Sequence, residues 1–260
     1  MISSKLSTLQ RTIPMTLILA AALCLTAATA FAGNVYSTGF ENPPFVIGPL
    51  AAQGGWQVFG SAIVTVESFQ VQSGSQAVFV DGSGTGQSGP WLNSPTGAPV
   101  VILSAGFYLA SSSTETGWQL AALGLNLAPF IGGIDVDANT NAIHAITAGN
   151  PVVGTLTRDT WHNAVFVMDF GTQTYSVSLD GTSLAANVPF CGDNGPCLGA
   201  AVGSFGSGIF DTFAAAGTGN DSGFLDNYSV STPVPEPGSI ALLGSGILGL
   251  AGVIRRKIMG

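Results

Sequence analysis

Residues 161–181 read WHNAVFVMDFGTQTYSVSLDG. Along this stretch Val165, Val167 and Asp169 share one parity, while Ala164, Phe166, Met168 and Phe170 share the other. Strand side chains alternate between two faces, so the run has the period of a β-strand. A short turn around Gly171 follows, and Tyr175, Val177 and Leu179 repeat the alternation up to Asp180-Gly181. The pattern predicts an antiparallel hairpin.

Working outward, similar short runs recur: AIVTVES, QAVFVDG, VVILSAGFYLA, WQLAALGLNL, AIHAIT and LDNYSV. The segments GSGTGQSGP, DANTN, GTQ and DGTS carry Gly, Asn, Asp and Pro and read as turns between them. The region is poor in the helix formers Glu, Lys and Arg. Many short strands at close spacing predict an all-β sandwich or barrel, and the lack of strand–helix alternation excludes a doubly wound fold.

The 161–181 stretch resembles the Trp-His hairpin of the concanavalin A-like lectin and laminin-G superfamily. In that superfamily a Trp-His opens a strand, an Asp precedes the turn, and a Tyr-x-Val-x-x-Asp-Gly strand returns. The resemblance implies an all-β, antiparallel jelly-roll β-sandwich of the concanavalin A-like kind. A second resemblance joins the ends of this region. GFENPPF (39–45) and FLDNYSV (224–230) are similar to the first and last strands of jelly-roll carbohydrate-binding domains, where an early Glu and a late Asp hold a structural calcium ion. The matching residues are Glu41 and Asp226. The alternative is a pair of exposed strand-end acids.

Charge narrows the partners. Between Gly33 and Thr232 stand thirteen acids against one base, Arg158, a net charge of −12 that the whole-chain value of −8 conceals. Nucleic-acid affinity comes largely from Lys and Arg on phosphates, so nucleic-acid binding is excluded. A divalent cation is the natural counter-charge. Two cysteines remain in this region, Cys191 and Cys197 in CGDNGPC. An even pair in an oxidising compartment reads as a disulfide, whereas zinc would need four ligands at finger-like spacing.

Both ends read as processing segments. Lys5 and Arg11 precede the apolar run MTLILAAALCLTAATAFA, and Ala30-Phe31-Ala32 is a small-x-small site. Residues 1–32 are therefore expected to be a signal peptide cut by signal peptidase after Ala32. At the other end, Val234-Pro235-Glu236-Pro237 fixes a stiff extended segment. Ser239–Ile254 follow without a charge, enough for a helix of roughly 24 Å at about 1.5 Å per residue, shorter than a full hydrocarbon core. Arg255, Arg256 and Lys257 then stop transfer and hold that end in the cytoplasm.

This order resembles the PEP-CTERM sorting signal. The resemblance implies that a membrane-embedded exosortase recognises residues 233–260, removes the tail, and passes the protein to the cell surface or an exopolysaccharide-rich matrix. Residues 33–232 then form the working domain.

Candidate sites inside that domain are few. Asp135 and Asp137 in GGIDVDANTN share a face. Laminarinase-like enzymes of the superfamily carry Glu-x-Asp-x-Glu there, but this chain has Gly133 at the first position, so no nucleophile is present and no catalytic residue is assigned. DVDANTN reads instead as a hairpin turn with Asx capping, or as a weak calcium loop. His144 and His162 read as strand-packing and hairpin residues, and Trp118 and Trp161 as core anchors. Trp91, in the Pro/Gly/Ser-rich QSGPWLNSP, is the candidate aromatic for stacking on a sugar. The expectation is a non-catalytic surface or matrix protein that binds polysaccharide. The alternatives are a glycan-active enzyme of the same superfamily and a purely structural or adhesive matrix component.

Overall fold

A computed structural model describes residues 33–82, 86–113, 116–193, 197–214 and 221–233, all within one compact unit, Gly33–Pro233. The signal segment, the Ser239–Ile254 helix and the sorting residues Val234, Pro235, Glu236, Pro237, Arg255, Arg256 and Lys257 lie outside the described residues. Among those described, no helix is long and apolar enough to cross a membrane.

In chain order the strands are β1 (Gly33–Thr38), β2 (Gly48–Pro49), β3 (Trp56–Phe59), β4 (Ile63–Glu67), β5 (Ala77–Asp81), β6 (Gly86–Thr96), β7 (Val100–Leu109) and β8 (Thr116–Leu123). They continue as β9 (Phe130–Asp137), β10 (Ala142–Ala145), β11 (Val152–Thr155), β12 (Trp161–Asp169), β13 (Thr174–Leu179), β14 (Thr182–Pro189), β15 (Phe205–Ala214) and β16 (Ser222–Thr232). A nine-stranded sheet runs β14-β13-β12-β7-β16-β5-β4-β2, with β1 also on β16. A seven-stranded sheet runs β11-β10-β9-β8-β15-β6-β3. All pairings are antiparallel, and the chain passes repeatedly between sheets. The architecture is the expected jelly-roll β-sandwich.

The core lies between the sheets. The apolar parity of β12 (Ala164, Phe166, Met168) meets Trp118, Ile134 and Phe210 from the other sheet in one buried cluster. The opening hairpin is tied by its own polar residues. Asp180 accepts from the Asn163 backbone N–H at 2.8 Å and contacts His162 Nδ1 at 2.6 Å, while His162 Nε2 donates to the Thr157 carbonyl at 2.8 Å. Asp169 turns the hairpin by accepting from Gly171 N (2.8 Å) and Thr172 N (3.1 Å). His162 and Asp180 thus tie the two ends of the hairpin together.

Four expectations need correction. GFENPPF (39–45), read as the first strand, forms the turn that follows β1, so Glu41 stands beyond that strand rather than on it. Gly86–Pro90, read as a turn, is the first half of β6. Trp91 is therefore on a strand, opposite Ile209 and Gln57, and is half-buried rather than on an exposed loop. Trp161 opens β12 as expected but projects away from the core, against Tyr108. Trp118 is a core anchor, 1% exposed.

Candidate functional site

The residues of β8, β9, β10 and β15 that alternate with the core point to the outer face of the seven-stranded sheet. His144 stands opposite Asp135, Asp135 opposite Gln119, and Gln119 opposite Asp211. Directly opposed residues project to one side, so these four form a polar cross-strand row. Beside it lies a small apolar cluster of Ala121, Leu123, Ile146 and Ile209, flanked by Phe59, Trp91, Phe130 and Cys197. A cavity of about 330 Å³ opens between them, lined by Gln119, Asp135, Ile146, Thr147, Asn150 and Cys197.

Two buried acids dominate its electrostatics. Asp211 is fully buried and accepts from Gln87 Nε2 through Oδ2. Its Oδ1, like Oδ1 of Asp135, is buried without a hydrogen-bond partner among the described residues. Burial pushes the Asp211 carboxyl well above the usual range, with Asp135 adding to the rise. Burial also raises Asp135, opposed by His144 and assisted by Asp137. Gln119 joins the network by accepting from Gln87 Nε2 at 3.3 Å. His144 Nδ1 donates to the Asn150 carbonyl at 2.9 Å, fixing one wall of the cavity.

Gly133, where laminarinase-like enzymes carry a Glu, is closely packed against β8. A Cβ there would lie 2.4 Å from Leu120 O and 2.7 Å from Ala121 Cα, so the sheet admits no larger residue at that point. Asp137 shares a parity with Asp135 but caps the β9–β10 turn, accepting from Asn139 N (2.7 Å) and Thr140 Oγ1 (2.8 Å). Its hydrogen bonds hold its pKa below the ordinary value. Cys191 and Cys197 form a disulfide. Asp193 reinforces that loop by accepting from Cys197 N (3.0 Å) and Leu198 N (2.9 Å).

The terminal acids come together elsewhere. β1 pairs with β16, and Glu41 and Asp226 grip opposite ends of loop 72–76. Asp226 accepts from Gln72 N (3.1 Å), Ser73 N (3.1 Å) and Asn227 N (2.7 Å). Glu41 accepts from Ser75 N (2.9 Å), Ser75 Oγ (2.5 Å) and Gln76 N (3.2 Å). Burial pushes Asp226 up to about 6 despite these donors, whereas the Ser75 hydroxyl leads the bonds that lower Glu41. Among the described residues no third His, Cys, Asp or Glu joins them.

Sequence reasoning found Trp91 and Asp135 on the cavity-bearing face but missed Asp211, Gln119, Gln87 and Asn150. The signal for Gln119 was available: it is a polar residue interrupting the apolar WQLAAL run.

Residues 233–257 match the PEP-CTERM protein-sorting motif. The chain therefore ends in a sorting tail, as its Pro-Glu-Pro, apolar and basic segments suggested. No curated protein sequence matches the chain. Among solved structures the sandwich is similar to the cellulose induced protein Cip1, at 14% identity and a TM-score of 0.52, over 75% of this chain and 96% of that one. It is also similar to a carbohydrate esterase from Shiga toxin-encoding bacteriophage phi24B, at 15% identity and 0.52, over 78% and 100%. A sialidase matches at 8% identity and 0.53, over 77% of this chain, which spans only 19% of the sialidase. At these identities the likeness is one of fold.

Proposed function

We propose that the exported domain binds polysaccharide, without cleaving it, on the outer face of the seven-stranded sheet. The observation that carries this reading is the cavity lined by Gln119 and the partly exposed Asp135, on the same sheet face as an apolar cluster flanked by the half-buried Trp91. Carboxylate and amide groups accept and donate to sugar hydroxyls, while an indole covers a ring face. A glycan array followed by titration calorimetry on the disulfide-bonded protein tests it. Asp135→Asn and Trp91→Ala are expected to weaken the best oligosaccharide about tenfold each, the scale of one charge-assisted hydrogen bond or one ring contact. Glycan affinity that neither substitution changes would overturn the reading.

Glycoside cleavage is the second reading, favoured by the Asp135–Asp211 pair on one face. Against it, Asp211 is wholly covered, and glycosidic chemistry needs both carboxyls at the substrate.

The same proposal places the protein at the cell surface or in an extracellular matrix, after signal peptidase and exosortase have removed residues 1–32 and the tail. Intact mass of surface-recovered protein should show a start near Gly33 and an end near Pro235–Pro237; retention of Arg255–Lys257 would refute tail removal. Calcium belongs to this reading as a ligand of Glu41 and Asp226, which supply hard oxygen donors at one loop. Because loop N–H groups already occupy both carboxylates, a cation there would compete with them, and its remaining ligands would be carbonyls and water.

A further inference from the structure

The opposite face of the sandwich carries a feature that the cavity does not explain. Trp161 of β12 stands opposite Tyr108 of β7, Tyr108 opposite Phe224 of β16, and Phe224 opposite Phe79 of β5. Four adjacent strands thus lay one aromatic each in a single row on the outer face of the nine-stranded sheet. Successive ring centroids are 5.8, 5.6 and 5.2 Å apart. Phe69, from the bend after β4, lies over the far end, 5.4 Å from Phe224 and 5.9 Å from Phe79. With strands about 4.8 Å apart, the row extends roughly 15 Å, the length of a short oligosaccharide.

Cross-strand aromatic pairs stabilise a sheet, and that accounts for the four ladder rings. It does not account for Phe69, which lies off the ladder and stays 67% exposed. Phe69 covers Phe224, which is only 5% exposed, and stands out beside the half-buried Phe79, Tyr108 and Trp161; an apolar ring left in water against others marks a contact point.

Charge decides what the contact is with. Arg158, the only Lys or Arg between Gly33 and Thr232, is occupied internally. Its guanidinium donates to the carbonyls of Ala110 (3.1 Å), Ser113 (3.3 Å) and Ala138 (2.7 Å) and to Asn141 Oδ1 (2.6 Å). At the rim of the row, Tyr108 donates to Asp159 at 3.1 Å. An acidic surface of net charge −12 repels phosphate, acidic polysaccharide, anionic membrane and a second copy of this chain. The neighbouring rows carry Asn163, Ser104 and Ser178, suited to hydroxyl groups. Successive rings are inclined by 53°, 81° and 43°, so the partner that fits is uncharged, with C–H groups to lie against ring faces and edges and hydroxyls for the polar rows.

We propose that this aromatic row is a second glycan-docking surface, taking the C–H groups of a neutral, insoluble polysaccharide against Phe69 and the half-buried rings beside it. Together with the opposite cavity it would let one molecule bridge two polysaccharide chains; the bridging, but not the docking itself, rests on the function proposed above.

Adsorption of the exported protein to microcrystalline cellulose and to chitin tests the proposal. Wild type is expected to adsorb to at least one, and Phe69→Ala to lose at least tenfold in affinity. Val167→Ala, on the same face but off the row, should change it less than twofold. Phe69→Ala should leave soluble oligosaccharide titration at the cavity unchanged, so the two sites fail separately. No adsorption by wild type, or equal adsorption by Phe69→Ala, would overturn the proposal. So would a concentration-dependent dimer, or binding to phosphatidylcholine vesicles, that Phe69→Ala abolishes.

Discussion

Glu41 and Asp226 hold loop 72–76 through five donated hydrogen bonds, and Asn227 N donates a sixth to Asp226. Asp135 and Asp211 stand on the outer face of the seven-stranded sheet, each with one buried oxygen that nothing described reaches. The difference is instructive because burial raises the pKa of three of these four acids. An acid ringed by N–H donors is fastening its own chain. Asp135, unlike the wholly covered Asp211, is partly exposed and lines a cavity, so its carboxylate is available to a hydroxyl from outside. Acidic residues in this sandwich thus divide by what their second oxygen faces, a property that residue type does not encode.

The largest effect expected from this contrast lies at the loop clasp and depends on pH. Asp226 has a folded pKa of about 6 against an ordinary value near 3.9. Its ionisation therefore opposes folding: the stabilising preference for the protonated form is complete below the unfolded value and is lost as pH rises through 6. About two pH units correspond to roughly 3 kcal/mol. Wild type should gain up to that much stability relative to Asp226→Asn between pH 7 and pH 4, measured by urea unfolding. Glu41, with its pKa lowered, has the opposite sign and contributes above its unfolded value. Calcium sharpens the test. A cation bound only to the folded clasp adds about 2.7 kcal/mol at a hundredfold excess over Kd, and it should flatten the acid-side gain by favouring ionised Asp226. Glu41→Gln and Asp226→Asn should lose the calcium increment, while Asp135→Asn keeps it. Equal stabilisation by sodium chloride at matched ionic strength would reduce the effect to screening of an acidic surface.

How far these features could be read beforehand follows the same physics. All eight runs singled out as strand-like, including the 161–181 hairpin, contain strands, because period-2 alternation survives wherever one face is buried. β6 did not show itself. A Cβ at Gly89 would lie 2.3 Å from Phe210 O and 2.7 Å from Asp211 Cα, so close passage against β15 demands a residue that reads as a turn. Trp91 was misplaced for that reason. Terminal acids were legible through GFENPPF and FLDNYSV, whereas Asp211, in FGSGIFDTFA, lies in a glycine-broken run. Its link to Asp135 passes through β8, a tertiary pairing that local pattern does not reveal. The aromatic row was invisible likewise, since its members come from four separate stretches of chain.

The smallest expected effect tests the other side of the contrast. Burial raises the Asp211 carboxyl well above its ordinary pKa, so the site beneath Gln87 favours the protonated acid more than water does. Asparagine reproduces that shape, carries no charge to desolvate, and keeps an oxygen to accept from Gln87 Nε2. Asp211→Asn should therefore change stability by less than about 1 kcal/mol, the scale of a single rearranged hydrogen bond, and leave oligosaccharide affinity within twofold. Asp135→Asn, at a carboxylate that lines the cavity, should weaken the same oligosaccharide about tenfold while costing equally little stability. The pair would then be one ligand acceptor backed by one structural acid. The opposite result is as informative. If a labelled oligosaccharide that Asp135 helps to bind is slowly cleaved by wild type, and Asp211→Asn abolishes cleavage without altering affinity, then the buried carboxyl delivers a proton. The face would then be a catalytic cleft, and the non-catalytic reading would fall.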